Sequence, residues 1–329
     1  MTKILVTNAS IDPAALAMIR ARGAEALFAP ISTPPAELRR IVEREAVEAI
    51  ISRTIRIDGA TMDASPRLKV ISKHGAGVDN IDLEAATARG IPVLFALAGN
   101  ARSVAEHAIA MMLALAKRLV PLDAALRRGA WPREGGQGIE LAGKRLGIVG
   151  LGNIGRIVAE LGRAFGMAVA GFDPYVAAAA LPAGIERRLT LADLLSEADI
   201  VTLHCPLTAE TRGLMGGEAL RLMKRTAFLV NTARGPIIDE AALIAALREG
   251  RIAGAALDSF TEEPADPRSP LWSLPNAIYT PHIAGTTAEA FARVAMQAVE
   301  NVFAILDGAP PDPHCVANPE ALRRPLRRR

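Results

Sequence analysis

The sequence is poor in cysteine and aromatic residues, and it has no long uninterrupted apolar segment. Its 329 residues include two cysteines, Cys205 and Cys315, which excludes a disulfide framework and favours a reducing compartment such as the cytoplasm. No apolar run reaches the ~20 residues of a membrane-spanning helix, so we expect no membrane partner. The N-terminus passes directly into a strand-like run, and we therefore expect no secretion signal.

The chain also lacks a strong charge imbalance. Its net charge is +3 at pH 7, and five arginines within residues 322–329 account for the positive sign. A short segment of like charge is usually solvated, and without it the net charge of the chain would be negative. We therefore predict no nucleic-acid partner, and we expect no bound metal.

Half of the residues are apolar, and short apolar runs alternate with segments of helical spacing. This alternation is typical of βαβ units and a parallel sheet, and the length favours two domains. Strand-like runs in the first part of the chain occupy residues 3–8, 24–28, 47–51, 68–71 and 92–95. Helical segments occupy residues 12–22, 34–45, 58–64 and 82–89.

One glycine-rich turn lies between two predicted strands. An apolar run, residues 146–149, leads into the G-x-G-x-x-G pattern of residues 150–155, a helical segment follows, and a second strand-like run ends at Asp173. Such glycines permit a tight turn, backbone approach to a pyrophosphate and close helix packing. The helix N-terminus would then bind the phosphates, and Asp173 would accept the ribose hydroxyls. The alternative is a glycine-rich turn without a ligand.

Four later strand-like runs deliver polar residues at their carboxyl ends, where ligands bind in open α/β sheets. These ends lie near residues 204–206, 231–235, 258 and 280–282. In the first part of the chain, the loop Gly75-Ala76-Gly77 exposes backbone amides that could bind a carboxylate. A plain turn, with Asp82 capping the next helix, explains this loop equally well.

His204 and His282 both end strand-like runs, and spacing alone does not choose between them as an acid–base group. Such a group also needs an orienting carboxylate, and Glu263 precedes His282 within one connection. Arg234 suits a substrate carboxylate, or it pairs with an acid at the sheet end. His107 lies within an apolar helical segment, and we expect it to be structural.

These residues together resemble the D-isomer-specific 2-hydroxyacid dehydrogenase family, which contains D-3-phosphoglycerate dehydrogenase and glyoxylate/hydroxypyruvate reductase. The stretches that carry the resemblance span nearly the whole chain: residues 74–81, residues 150–155 with Asp173, residues 231–235, and residues 257–264 through 280–285. One minor departure is Asp258-Ser259-Phe260, where the family commonly has Asp-Val-Phe.

The resemblance implies two α/β domains with Rossmann-like or flavodoxin-like parallel sheets. Residues 1–98 and 287–329 would form the substrate-binding (catalytic) domain, and residues 99–286 would form an inserted NAD-binding Rossmann domain. It further implies that Arg234, Glu263 and His282 are catalytic, whereas His204 lies beside the nicotinamide. We expect no regulatory domain of the kind found in long phosphoglycerate dehydrogenases.

The implied cofactor is NAD, and the implied substrate is a small 2-hydroxy or 2-keto acid. Residues from the glycine turn and the later strand ends would bind the cofactor: Gly150, Gly152, Asn153, Ile154, Gly155, Asp173, His204, Cys205, Pro206, Thr232, Ala233, Arg234, Asp258, His282 and Gly285. The substrate would contact Gly75, Ala76, Gly77, Arg234 and His282. Substrate choice would depend on Ser52, Arg53 and Lys73.

A helix predicted at residues 102–128 is apolar nearly all round, so it should be buried between layers or against another subunit. In the resembled family, this helix and the loop with Trp131 look like the dimer interface, so we expect a homodimer. The main alternative function is a non-enzymatic NAD(H)-sensing protein of the same fold. A formate or phosphite dehydrogenase is less compatible, because the formate enzymes have glutamine in place of Glu263. A methyltransferase would not explain the set of catalytic residues.

Overall fold

The computed structural model describes residues 1–323, apart from the side chain of Ala178. The arginine-rich segment that we predict to be solvated lies, from residue 324, outside this range. The chain divides into two compact units. The first unit contains Met1–Asn100 and the segment that begins at Thr286, and the second unit is Ala101–Gly285.

The first unit is built on a parallel sheet of five strands. The strands are β1 (Thr2–Val6), β2 (Ala24–Phe28), β3 (Ala49–Ser52), β4 (Val70–Lys73) and β5 (Val93–Phe95). Four helices connect them: α1 (Pro13–Ala21), α2 (Pro35–Glu45), α3 (Gly59–Asp63) and α4 (Leu83–Ala88). The strand order is β2-β1-β3-β4-β5.

Side-chain caps begin three of these four helices, and α2 is the exception. The Asp12 carboxylate accepts a hydrogen bond from the amide of Ala14 at 2.9 Å, directly before the proline that begins α1. Asp82 accepts from the amide of Ala85 at 2.9 Å and begins α4. Asp82 therefore has the capping role that the plain-turn interpretation of the preceding glycine loop requires.

The second unit contains a parallel sheet of seven strands. They are β6 (Arg145–Val149), β7 (Ala168–Phe172), β8 (Ile185–Arg187), β9 (Ile200–Leu203), β10 (Phe228–Asn231), β11 (Gly254–Leu257) and β12 (Ala277–Tyr279). The helices are α5 (Ala101–Ala116), α6 (Leu119–Arg127), α7 (Asn153–Ala164), α8 (Leu191–Glu197), α9 (Gly217–Leu222) and α10 (Glu240–Arg248).

The strand order of this sheet, β12-β11-β10-β9-β6-β7-β8, reverses direction at β6. Open α/β sheets bind ligands at the carboxyl ends of strands beside such a reversal. The predicted fold class, α/β with two parallel sheets, is confirmed. Among the described residues, no helix has the length and apolar character needed to span a membrane.

The prediction of one helix over residues 102–128 is wrong, because the helix breaks at Arg118. This residue has a φ of 55°, in the left-handed region, and its guanidinium donates to the carbonyl of Gly135. The two halves also differ in burial. Ten of the sixteen residues of α5 are buried, whereas α6 has no buried residue. Only α5 therefore fits the prediction of a helix buried between layers.

The chain returns to the first unit in α11 (Ala288–Leu306), which begins at its N-cap, Thr287. The buried face of α11 includes Ala298, Val299 and Val302, and it belongs to one core with β1, β3 and β4. The sheet of the first unit is thus covered by a helix that follows the whole of the second unit in sequence.

Candidate active site

The glycine turn after β6 is formed by close backbone approaches. Gly150 has a φ of 93°, and a Cβ added there would lie 2.6 Å from the amide nitrogen of Cys205. A Cβ on Gly155 would lie 2.1 Å from the carbonyl oxygen of Gly150. Both positions therefore require glycine. A Cβ on Gly152 would meet nothing within 4 Å, so the space beside this part of the turn is open.

Asp173 follows β7 and is fixed beside this turn. One carboxylate oxygen accepts from the amide of Leu151 at 2.8 Å, and the other accepts from the amide of Tyr175 at 2.9 Å. This arrangement fits a dinucleotide. The open turn and the N-terminus of α7, with Asn153 and Ile154, would bind the pyrophosphate, and the oriented acid would bind the ribose.

The connection after β9 carries two groups with strongly shifted pKa values. Burial lowers the pKa of His204 to about 3, so this imidazole is neutral at pH 7. Burial raises the pKa of Cys205 to about 11, so its thiol is not a nucleophile at neutral pH. Pro206 follows and anchors the connection, because its carbonyl accepts from the hydroxyl of Thr211 at 2.6 Å.

Two buried polar atoms near these strand ends have no hydrogen-bond partner among the described residues. They are Nδ1 of His204, after β9, and the hydroxyl of Thr232, after β10. Buried polar atoms are nearly always paired, so unpaired ones fit a site that a polar ligand completes. The carboxyl ends of these two neighbouring strands therefore fit a cofactor with polar groups.

Glu263 and His282 form a direct pair at the sheet edge that contains β11 and β12. The Nδ1 atom of His282 lies 2.6 Å from a carboxylate oxygen of Glu263, whose second oxygen accepts from the amide of Phe260 at 3.0 Å. Nε2 of His282 is left for another partner. The side chains of His282 and Glu263 are 46% and 37% exposed, so a ligand can reach them.

The ionisation of Glu263 follows from its neighbours. Burial raises the pKa of this carboxyl, but hydrogen bonds from His282 and from the amide of Phe260 outweigh burial. The positive charge of Arg234 acts in the same direction, and the net pKa of Glu263 lies below its usual range. The carboxylate is therefore ionised at neutral pH and can orient the imidazole.

Sequence reasoning missed how His282 is positioned. The residue has a φ of 54°, in the left-handed region, within a turn that wraps around the buried carboxylate of Asp258. Asp258 accepts from the hydroxyl of Thr280 at 2.6 Å and from the amides of Ile283 and Ala284, each at 2.9 Å. Three donors from one turn thus fix the backbone that carries His282.

His107 belongs to the same network, which agrees with the structural role expected of it. Its Nε2 atom lies 3.0 Å from the hydroxyl of Thr280, and Nε2 is 3.7 Å from the carboxylate of Asp258. The histidine on α5 therefore supports the turn that follows β12.

Arg234 follows β10 and is held by its neighbours in sequence. The Asn231 side chain accepts from the amide of Ala233 and donates to the carbonyl of Arg234, each at 2.9 Å. A Cβ on Gly235 would lie 1.9 Å from the carbonyl carbon of Phe260, so only glycine allows this approach. The close contact joins the Arg234 segment to the segment that carries Glu263.

Comparison with known proteins places this geometry in a family. Residues 109–284 match the family model described as D-isomer specific 2-hydroxyacid dehydrogenase, NAD binding domain. The chain belongs to the D-isomer-specific 2-hydroxyacid dehydrogenase family. The match confirms the family and the NAD cofactor predicted from the sequence, and it covers all the strand ends described above.

Two curated relatives illustrate the range of the family. D-3-phosphoglycerate dehydrogenase of Archaeoglobus fulgidus is 40% identical over 309 residues, which cover 94% of this chain and 58% of that enzyme. Glyoxylate reductase of Aeropyrum pernix is 43% identical over 290 residues, which cover 84% of this chain and 85% of that enzyme. This chain thus spans little more than half the length of the phosphoglycerate dehydrogenase.

A solved structure has a closely similar fold. The crystal structure of the TT0316 protein from Thermus thermophilus superposes with a TM-score of 0.88 at 40% identity. The alignment covers 96% of this chain and all of that chain.

The predicted cofactor and catalytic residues of this dehydrogenase family member lie in the second unit, up to Gly285 at its end. Glu263 contacts His282 directly. The charge of Arg234 acts on Glu263 by lowering the pKa of its carboxyl. Within residues 1–323, no group of three or more His, Cys, Asp or Glu side chains could hold a metal ion.

The predicted substrate loop, residues 75–77, lies in the first unit after β4. Gly75 has a φ of 141°, and its carbonyl accepts from the amide of Ala96 at 3.0 Å. The preceding His74 packs its ring on Phe291 with 5.0 Å between centroids, and burial lowers the pKa of His74 to about 4. The Arg53 guanidinium lies over the Phe291 ring, 5.5 Å from its centroid.

Proposed function

We propose that this chain transfers a hydride between the nicotinamide of NAD and C2 of a D-2-hydroxy acid or its 2-keto acid. The observation that carries the proposal is the 2.6 Å contact between His282 and Glu263. An imidazole with an oriented, ionised carboxylate on one nitrogen is suited to move a proton with the other. The family's NAD supplies the hydride acceptor or donor when bound.

Three residues of the second unit have separate roles in this reaction. In oxidation, Nε2 of His282 accepts the proton of the substrate hydroxyl, and in reduction it returns that proton to the C2 oxygen. Glu263 contacts Nδ1 and fixes the orientation of the imidazole ring. Arg234 binds the substrate carboxylate and polarises the C2 oxygen, since its guanidinium matches a carboxylate in shape and charge.

We further propose that the first unit is the substrate-binding domain and the second unit is the NAD-binding domain. This proposal retains the prediction that Gly75, Ala76 and Gly77 contact the substrate. It is supported by the family resemblance of residues 74–81. The amide of Gly75 donates to the carbonyl of Lys73 at 3.0 Å, so we expect the amides of Ala76 and Gly77 to bind the carboxylate.

A panel of 2-keto acids with NADH tests the proposed reaction: glyoxylate, hydroxypyruvate, pyruvate and 3-phosphohydroxypyruvate. We expect turnover of at least one, recorded as the loss of NADH absorbance. A protein that binds NADH but reduces none of them, nor oxidises any of the corresponding D-2-hydroxy acids, would be a binding protein and the proposal would be wrong.

We also propose that the protein is a homodimer through residues 102–138. The support is an exposed apolar surface on and after α6, which we call the α6 surface. Leu119, Val120 and Leu126 are each half exposed, and Trp131 is 80% exposed. A surface of this kind on an isolated chain is typical of an interaction site. We place the reaction in the cytoplasm, where the free thiols of Cys205 and Cys315 persist.

A further inference from the structure

A second carboxylate is connected, through Tyr175, to the acid that is expected to bind the adenosine ribose. Glu210 is in the connection after β9, and Tyr175 follows Asp173 by two residues. The Tyr175 hydroxyl donates a hydrogen bond to the Glu210 carboxylate. This contact joins the connections after β7 and β9, the two neighbours of β6, which carries the glycine turn.

The positions of these groups are set by further hydrogen bonds. Asp173 accepts from the amide of Tyr175 at 2.9 Å, so the ribose acid and the tyrosine are held together. On the other side, the Thr208 amide donates to the Thr211 hydroxyl at 2.8 Å, and the Thr211 amide donates back to the Thr208 hydroxyl at 3.3 Å. This reciprocal pair encloses Glu210 in a short, closed turn.

Around Tyr175, Asp173 and Glu210 contribute two carboxylates, and the exposed Arg212, two residues after Glu210, forms no ion pair with either of them. Neither Asp173 nor Glu210 forms an ion pair with any residue between 1 and 323, and residues 173–180 contain no lysine or arginine. The hydrogen bond to Glu210 raises the pKa of Tyr175, and the charges of Glu210 and Asp173 raise it further. Both carboxylates therefore act on one hydroxyl group.

We propose that Glu210, positioned by Tyr175, is a second determinant that excludes NADP. A phosphate on the 2′-oxygen carries nearly two negative charges at pH 7, and it would meet two carboxylates instead of one. The 2′-hydroxyl of NAD is neutral and is not repelled. The inference rests on NAD binding, which the family establishes, and not on the reaction proposed above.

Titration calorimetry on the intact protein tests this role without turnover. The ligands are NAD⁺ and NADP⁺, and also 5′-AMP and 2′,5′-ADP, a pair that differs only by the 2′-phosphate. We expect Glu210→Gln to tighten NADP⁺ and 2′,5′-ADP binding about fivefold, as removal of one nearby like charge in a solvated site predicts. Binding of NAD⁺ and 5′-AMP should change less than about twofold, because neither ligand has a charged group on the 2′-oxygen.

Three comparison variants sharpen the result. Glu160→Gln removes an equal charge from the exposed surface of α7 and should leave both ligand pairs unchanged. Tyr175→Phe keeps the Glu210 charge but removes its hydrogen bond, so it should relax discrimination only partly. Asp173→Ala should narrow the NAD⁺/NADP⁺ difference as well, and it should also weaken NAD⁺ because it removes the ribose acceptor.

Screening gives an independent readout. Raising the salt concentration from 0.1 M to 1 M shortens the Debye length from ~10 Å to ~3 Å, so the effect of Glu210→Gln should shrink at high salt. The proposal is overturned if Glu210→Gln behaves like Glu160→Gln, or if it weakens NAD⁺ and NADP⁺ equally. If the wild-type protein binds neither nucleotide, both this proposal and the assignment of NAD as cofactor are wrong. If it binds NAD⁺ without turnover, only the proposed reaction is wrong.

Discussion

His282 and His204 both follow strands of one sheet, but their environments suit different tasks. Burial lowers the pKa of His204 to about 3, so its imidazole stays uncharged at neutral pH. His282 is accessible and is paired with an ionised carboxylate. We therefore expect His282→Ala to lower kcat by about 10²–10⁴-fold, the usual contribution of general acid–base catalysis.

Steady-state kinetics on the best keto acid and fluorescence titration with NADH measure these effects separately. NADH binding by His282→Ala should stay close to wild type. His204→Ala should change cofactor affinity or stability more than kcat. The assignment is wrong if His204→Ala abolishes turnover while His282→Ala leaves it intact.

Glu263→Gln should move the pH dependence of the reductive reaction to lower pH. Reduction requires a protonated imidazole, and the variant leaves that positive charge without its anionic partner. In the wild type, the pKa of Glu263 lies below its usual range, so the carboxylate stays ionised until the pH falls through that lowered value. Rates measured from pH 5 to 9 test the shift.

Glu262→Gln is the matched control for this variant. Glu262 is the exposed neighbour of Glu263 in sequence, and its replacement removes the same charge without touching the pair. A pH profile that moves equally in both variants would contradict the pairing as the cause.

The sequence could predict Glu263 as the partner of His282, because Glu263 precedes His282 within one connection, but it could not give the geometry of their contact. Spacing alone left His204 and His282 equivalent, and the family resemblance also favoured His282. The physical difference between them is the contact of Glu263 with His282, which is 19 residues away in sequence and depends on the path of the chain after β11. The Tyr175–Glu210 contact could not be predicted from the sequence either, because it joins two connections on either side of β6.

At the scale of elements, the turn after β12 depends on one buried carboxylate. Asp258→Asn replaces one of the two acceptor oxygens by an NH2 group. That group cannot accept from the amide of Ala284 at one oxygen position, or from the hydroxyl of Thr280 and the amide of Ile283 at the other. We expect a loss of ~1–3 kcal/mol in the free energy of unfolding, the cost of an unsatisfied buried polar group. Because this turn carries His282, kcat should fall as well.

Chemical denaturation and steady-state kinetics measure the two consequences of Asp258→Asn. Thr280→Val offers a milder comparison, since it removes one of three donors and leaves the carboxylate in place. A variant with wild-type stability and wild-type kcat would show that the carboxylate does not position the turn.

The elements themselves were predictable where local patterns determine them. Apolar periodicity and caps such as Asp12 placed the helices and strands of the first unit within a few residues. The break at Arg118 was not predictable, because its left-handed conformation accompanies a contact with Gly135, seventeen residues later. Apolar composition continues across the break, so it gave no sign that burial ends there.

At the scale of the whole molecule, the α6 surface predicts association. Sedimentation at micromolar concentration should give a mass near twice 34.7 kDa. Trp131→Ala should weaken the dimer, because aromatic side chains contribute most to such interfaces. Leu189→Ala is the control, since Leu189 is 77% exposed but lies in the connection between β8 and α8. A monomeric wild type would contradict the proposal.

The return of the chain in α11 has a consequence for synthesis. The first hundred residues leave the ribosome before the helix that covers their sheet exists, and translation of the second unit takes roughly 10–40 s at typical rates. During that interval, the apolar faces of β1, β3 and β4 have no α11 to pack against. The second unit, although its synthesis begins later, is the first whose residues are all present, so it can complete its fold before the first unit does.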